Sequence, residues 1–224
     1  MSDVVLRYAC TTFLATRHSS NKFGSALAAR NVPRGTTNKR QVTIDKQHNY
    51  MTLQEAKNII RIVPDFPKPG IGFIDLVQPL QNTAFISCVR NELKSLYQDK
   101  GITKIVAIES RGFFFSSILA CDINAGLVPI RKKGKLPPET ISATYQKEYG
   151  QDSIEMLKDS LTKDDVVLLH DDILATGGTI QAACNMLKEI GVKKIYLNFI
   201  GEIDFLEGRK LIDPTIETTA LFHF

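Results

Sequence analysis

Apolar residues along this chain change their spacing several times, and each change marks a predicted element. Up to about residue 48 no helical or strand period is sustained, and Ser, Thr, Ala, Asn and Arg dominate. Residues 1–50 are therefore expected to form a disordered extension. At Met51 the pattern tightens: Thr52-Leu53-Gln54-Glu55 has the form of a capping box, and Leu53, Ala56, Ile59 and Ile60 fall on one helical face. The folded domain is placed at 51–224. Prolines 64, 67 and 69 withhold amide donors and stop that helix, giving an ordered loop into Ile71-Gly72-Phe73.

From about Thr83 to Gln98 the period is helical again, carried by Phe85, Val89, Leu93 and Leu96, with Gly101 where a stop belongs. Lys104 to Glu109 is a short apolar, β-branched run, followed by a helical stretch from about Gly112 to Asn124 with its stop at Gly126. The alternation repeats: Leu127 to Arg131 and Val166 to Asp171 read as strands, about Gly178 to Ile190 as a helix stopped at Gly191, and Lys194 to Ile200 as a further strand. Nearly continuous apolar strands alternating with helices predict an α/β fold, a buried parallel sheet flanked by helices. Ligands of such open sheets bind beyond the carboxyl ends of the strands, which directs attention to Glu109–Gly112, Arg131–Lys135 and Asp171–Thr179. Between Lys132 and Thr162 no helix–strand unit is legible. Tyr145 to Gly150 alternates loosely, as a hairpin would, and an insertion of this length predicts a mobile lid.

Composition narrows the class. The 224 residues are 43% hydrophobic and 23% charged, within the range of soluble globular chains. No apolar run approaches the roughly 20 residues of a spanning helix, so no membrane association is expected. Cys10, Cys88, Cys121 and Cys184 lack C-x-x-C spacing, which argues against a zinc knuckle or a disulfide framework and fits a reducing, cytoplasmic setting. The formal net charge is +4, but residues 1–50 carry eight Lys/Arg against only Asp3 and Asp45. The basic surplus thus belongs to the extension and gives no sign of a nucleic-acid partner. The same segment has the composition of a mitochondrial targeting peptide, against which stand Asp3 and its weak amphipathicity.

The densest chemistry lies in Val166-Val167-Leu168-Leu169-His170-Asp171-Asp172-Ile173-Leu174-Ala175-Thr176-Gly177-Gly178-Thr179. A hydrophobic strand delivers two carboxylates, then a turn of small residues, then a helix. Carboxylates suit vicinal hydroxyls, and the free amides of a helix start suit a phosphate. Gly177 and Gly178 let the backbone approach closely, while Thr176 and Thr179 add hydroxyls. A ribose 5-phosphate has both features. Arg131, Lys132 and Lys135 gather after another strand, where they could meet an anionic ligand carrying several phosphoryl charges. His170 reads as a structural strand histidine rather than a metal ligand. Phe113, Phe114 and Phe115 read as helix core and subunit contact.

The Val166–Thr179 segment resembles the signature by which type I phosphoribosyltransferases bind 5-phosphoribosyl-1-pyrophosphate (PRPP). Phe66–Phe73, Glu109–Phe113, Arg131–Pro137 and Tyr145–Gly150 are similar, in order, to further motifs of the adenine-specific subfamily. The resemblance implies the Rossmann-like fold of that family with a small N-terminal hood. It implies transfer of phosphoribose from PRPP to adenine, giving AMP and pyrophosphate, with magnesium bound to PRPP and a homodimeric assembly. It implies that Asp171 and Asp172 hold the ribose hydroxyls, Ala175 to Thr179 the 5-phosphate, and Arg111, Arg131, Lys132 and Lys135 the pyrophosphate. Glu148 would exchange a proton with the base, Tyr149 would close over it, and Phe73 and Ile173, with Gly72 alongside, would flank it. The peptide bond before Arg111 is expected to be cis. Where the subfamily has Arg between Phe and Asp, this chain has Ile74, which weakens the inference on base choice. Another purine, xanthine or guanine, or a non-catalytic PRPP-sensing regulator are the alternatives.

Overall fold

The computed structural model describes residues 50–146 and 150–224. The extension and its targeting reading fall outside the described residues, as do Lys147, Glu148 and Tyr149. Helix α1 (Leu53–Asn58) opens on the predicted capping box: Glu55 N donates to Thr52 Oγ1 at 3.2 Å, and Thr52 N to Glu55 Oε2 at 2.8 Å. These bonds satisfy amides that a helix start otherwise leaves unpaired. Strand β1 (Arg61–Val63) follows at once and pairs antiparallel with β2 (Phe73–Asp75). The proline-rich stretch therefore joins a two-stranded ribbon, with Asp65 Oδ1 accepting from Gly70 N at 2.7 Å across its turn. No strand is legible in the sequence before Ile71, because three residues are too few to show a period.

A second sheet has seven strands in the order β5-β6-β4-β3-β7-β8-β9. These are β3 (Lys104–Ile108), β4 (Gly126–Lys132), β5 (Thr140–Gln146), β6 (Gln151–Leu157), β7 (Val166–Leu174), β8 (Lys194–Glu202) and β9 (Glu217–His223). From β4 to β9 all neighbours are parallel, as predicted. The sheet is nonetheless mixed, since β6 runs antiparallel to both β4 and β5. The predicted hairpin is thus the middle of a longer one, with two seven-residue strands laid along the sheet edge. Neither strand shows a sustained apolar run, since β5 is a half-exposed edge and Glu155 separates Ile154 from Met156 in β6.

Helix α2 (Thr83–Tyr97) and α3 (Phe113–Asp122) cover one face, and α4 (Gly178–Ile190) the other. Strand residues alternate between the two cores: Ile105 and Leu168 pack with Phe85, Leu93 and Leu119, whereas Val106, Val167 and Leu169 pack with Ile180, Ala183 and Leu187. Burial on both faces is why these strands are almost wholly apolar. Gly191 ends α4 as predicted, at φ +76. Gly126 does not end α3. The turn is made by Asn124 at φ +55, a residue that tolerates the left-handed region, and Gly126 opens β4. Among the described residues no helix is long and apolar enough to cross a membrane.

Candidate active site

The chain leaves β3 toward α3 on one face and leaves β7 toward α4 on the other, although β3 and β7 are neighbours. Loops that diverge in this way open a crevice at the carboxyl ends of the two strands. The crevice holds a cavity of about 520 Å³ lined by Phe73, Glu109, Ser110, Arg111, Lys132, Lys135, Asp171 and Asp172. Three of the predicted motifs and the ribbon therefore meet at one place.

Asp171 and Asp172 lie inside β7, not at its end, because pairing with β8 continues to Leu174 opposite Glu202. Consecutive strand residues point to opposite faces. Asp172 accordingly meets Arg111, with Nε 2.7 Å from Oδ2, while Asp171 also lines a smaller recess with Thr179, Tyr145 and Ile154. Burial pushes the Asp171 carboxyl well above its ordinary range, and the neighbouring Asp172 adds to the shift. Asp172 is also raised by burial, with Arg111 opposing. Two sequestered carboxyls facing a cavity are primed for neutral or cationic partners such as sugar hydroxyls.

Beyond Leu174 the chain turns through Ala175, Thr176 and Gly177 into α4, which begins at Gly178 with no side-chain cap. Its first amides are open to an anion. Gly177 adopts φ +84, and a Cβ there would lie 2.5 Å from the Gly208 carbonyl oxygen. A Cβ on Gly208 would in turn lie 2.0 Å from the Ala175 carbonyl oxygen. Two stretches of bare backbone are pressed together, so the turn has a rigid support that no reading of Val166–Thr179 could reveal. Thr176 is exposed and Thr179 half-buried.

On the other side of the cavity Glu109 organises the basic loop. Its side chain is only 9% exposed and accepts from Arg131 Nε at 3.2 Å, Lys132 N at 3.1 Å and Lys135 Nζ. Burial opposes its charge, but Lys135, the Lys132 amide and Arg131 outweigh it and hold the pKa at about 2. Glu155 Oε1 accepts from the amides of Gly134, Lys135 and Leu136, fixing the same turn. The sequence directed attention to Glu109–Gly112 as a strand end but gave Glu109 no role of its own, and Glu155 carried no signal.

Arg111 lies over Phe73, its Cζ 5.2 Å from the ring centroid. The cis peptide bond of this loop is Glu109–Ser110, one residue earlier than expected. Strand β3 stops at Ile108 with a last bond from Glu109 N to the Ile130 carbonyl at 2.9 Å, so the turn opens with Glu109 and Ser110. Ile74 is buried among Ala56, Ile60 and Leu76, and the aspartate after it pairs with Arg61 at 2.7 Å. Residue 74 therefore faces the core, while Phe73 faces the cavity. Gly72 precedes β2 beside Ile62, and Ile173 is half-buried in β7. Phe115 is buried as expected, whereas Phe114 is exposed.

The phosphoribosyl transferase domain model matches residues 78–199. The adenine phosphoribosyltransferase of Bacteroides thetaiotaomicron is 49% identical over 171 residues, covering 76% of this chain and 97% of its own. That of Bacteroides fragilis strain ATCC 25285 is 48% identical over 163 residues, covering 73% and 92%. The Giardia lamblia enzyme, solved with 9-deazaadenine, superposes with a TM-score of 0.74 at 40% identity, covering 78% of this chain and 98% of that one. The Saccharomyces cerevisiae enzyme, solved with an imino-altritol bisphosphate and adenine, gives 0.71 at 36% identity, covering 75% and 97%.

Proposed function

The chain belongs to the adenine phosphoribosyltransferase family, and from that premise we propose how its residues carry out transfer of phosphoribose from PRPP to adenine, giving AMP and pyrophosphate. The observation that carries the reading is the meeting, around one cavity and the recess beside it, of half-buried Asp171 and buried Asp172, an uncapped helix start and a basic loop. The open amides at Gly178 and Thr179, with Ala175 to Gly177 and the Thr176 hydroxyl, receive the 5-phosphate. Asp171 and Asp172 accept from the ribose hydroxyls, and their negative field favours the cationic sugar that develops as the bond to pyrophosphate lengthens. Arg111, Lys132, Lys135 and Arg131 supply positive charge where the leaving group gathers negative charge.

Phe73 offers a face on which a purine stacks, with Gly72 and Ile173 nearby. Arg111 lies on that face and moves aside as the base enters. The ribbon carrying Phe73 acts as a hood, and the loop joining β5 to β6 acts as the lid. That loop contains Glu148 and Tyr149, the first as proton partner of the base nitrogen opposite the attacking one, the second as a cover. Exclusion of water on closure raises the Glu148 pKa toward a value useful for proton exchange.

Magnesium fits as a companion of the substrate rather than a resident ion. The carboxylates nearest the basic loop are already engaged, Glu109 by Arg131 and Lys135 and Asp172 by Arg111. A metal arriving on the diphosphate would therefore draw mainly on phosphate, sugar and water oxygens, with Asp171 and Asp172 near the sugar, and would supply charge neutralisation. Exposed Val77 and Phe114 lie beside Arg111 on one side of the site, an apolar surface suited to pairing of two copies; light scattering is expected to give twice the chain mass.

Incubation with PRPP, magnesium and labelled adenine is expected to yield labelled AMP. Turnover of guanine or xanthine in place of adenine would overturn the base assignment, and absence of turnover with every purine would overturn the reaction.

A further inference from the structure

The basic loop that the proposed reaction assigns to pyrophosphate already has an anion in it, and that anion belongs to the protein. Glu109 is nearly buried, lines the cavity, and takes Lys135 and the Lys132 amide on its two carboxylate oxygens, with Arg131 on one of them. We propose that Glu109 is an exchangeable stand-in for the pyrophosphate group: it holds the loop folded while the site lacks ligand, and gives up Lys135, then Arg131, when the diphosphate arrives. The inference rests on the transferase reading, and it adds a positioning residue whose effect on ligand affinity is opposite to that of a simple scaffold.

Lys132, Lys135 and Arg131 would present three positive charges to an incoming diphosphate, but the ionised Glu109 carboxylate stands within bonding reach of two of them. An ion pair that is partly exposed is weak enough to be exchanged: the Lys135 and Arg131 side chains are 46% and 34% exposed, whereas that of Glu109 is 9% exposed. The cations can therefore turn outward, and the carboxylate cannot follow. The loop is not left unsupported during the exchange, because Glu155 Oε1 independently holds the amides of Gly134, Lys135 and Leu136. Glu109 also keeps the Lys132 amide, which needs no side-chain movement. Such a competitor limits product affinity as well as substrate affinity, which eases release of pyrophosphate.

The test is Glu109→Gln, which keeps shape and removes charge, set beside Glu109→Asp, which keeps charge. Pyrophosphate binding by calorimetry and KM for PRPP and adenine are measured on folded protein of each kind. Removing one negative charge from beside a multiply charged ligand is expected to tighten pyrophosphate about tenfold and to lower KM for PRPP, with KM for adenine unchanged and E109D close to the parent. Pyrophosphate binding unchanged or weakened in E109Q would overturn the exchange, since a scaffold role predicts that outcome. Should E109Q fail to fold, a crystal structure of the unaltered protein with pyrophosphate decides: Lys135 on the ligand and off Glu109 supports the exchange, and an intact Lys135–Glu109 pair overturns it. If the unaltered protein binds neither PRPP nor pyrophosphate, the transferase reading itself fails and takes this proposal with it.

Discussion

At the scale of single residues, the site separates groups that act on substrate from groups that hold those in place. Glu148→Gln is expected to lower kcat about 100-fold, the usual worth of a positioned proton partner, with PRPP binding retained; equal loss in binding and turnover would assign the loop glutamate to grip instead. Asp171 illustrates the conflict between stability and function. Its folded pKa is raised above the ordinary 3.8 by burial and by Asp172. The native state therefore binds that proton more tightly than the unfolded chain. The resulting stability is fully present below the ordinary value and is lost as pH rises through the raised one. That stability declines as pH climbs above the ordinary value, so at neutral pH Asp171→Asn should melt a few degrees higher in the absence of ligand while PRPP binding falls. Calorimetric melting with and without PRPP checks both halves. The carboxyl pair and the basic residues were assigned roles in the sequence because their types and order suggest a chemistry. Glu109 and Glu155 were not, because a residue that holds another side chain shows its role only when the two are seen together.

At the scale of elements, the β7–α4 turn is the part most exposed to substitution. Gly177→Ala would place a side chain at φ +84 and 2.5 Å from the Gly208 carbonyl. The expected cost is at least about 1–3 kcal/mol of stability, accompanied by weaker PRPP binding and little change in KM for adenine. Urea unfolding and steady-state kinetics measure the two. Helices α2 and α4 could be read to within a residue because fifteen and thirteen residues establish a period and Gly191 marks an end. The carboxyl end of β7 could not, since the polar pair at Asp171–Asp172 interrupts the apolar run while ladder pairing with β8 continues past it. Strand β9 went unread for a similar reason: four of its seven residues are Glu, Thr, Thr and His, as suits an edge.

For the whole molecule, the sheet conceals one basic group whose neutrality it requires. His170 is buried, with Nδ1 2.8 Å from Asn198 Oδ1, and burial lowers its pKa from 6.5 to about 4 despite that bond. A depressed value means that its contribution is complete above 6.5 and is lost as pH falls toward 4. Between about pH 7 and about pH 5 this group alone is expected to remove about 2 kcal/mol of stability. His170→Gln should flatten that part of the profile in urea titrations, and an unchanged slope would assign the acid sensitivity elsewhere. The α/β class and the crevice at the strand ends followed from alternating periods. The mixed edge of the sheet did not, since antiparallel addition depends on partners far apart in the chain, Arg131 facing Glu155 and Lys132 facing Ile154.

Support for the phosphate turn comes from the far end of the polypeptide. Gly208 presses on Ala175 and Gly177, and the next residue, Arg209, is moored to Glu202 and to the Thr218 carbonyl in β9. A premature stop at Glu217 would spare every residue proposed to touch substrate, yet it would remove one of the two moorings of Arg209 and slacken the proposed seat of the sugar phosphate. Loss of the final eight residues should therefore be felt first as poor PRPP retention, at a distance from the lesion.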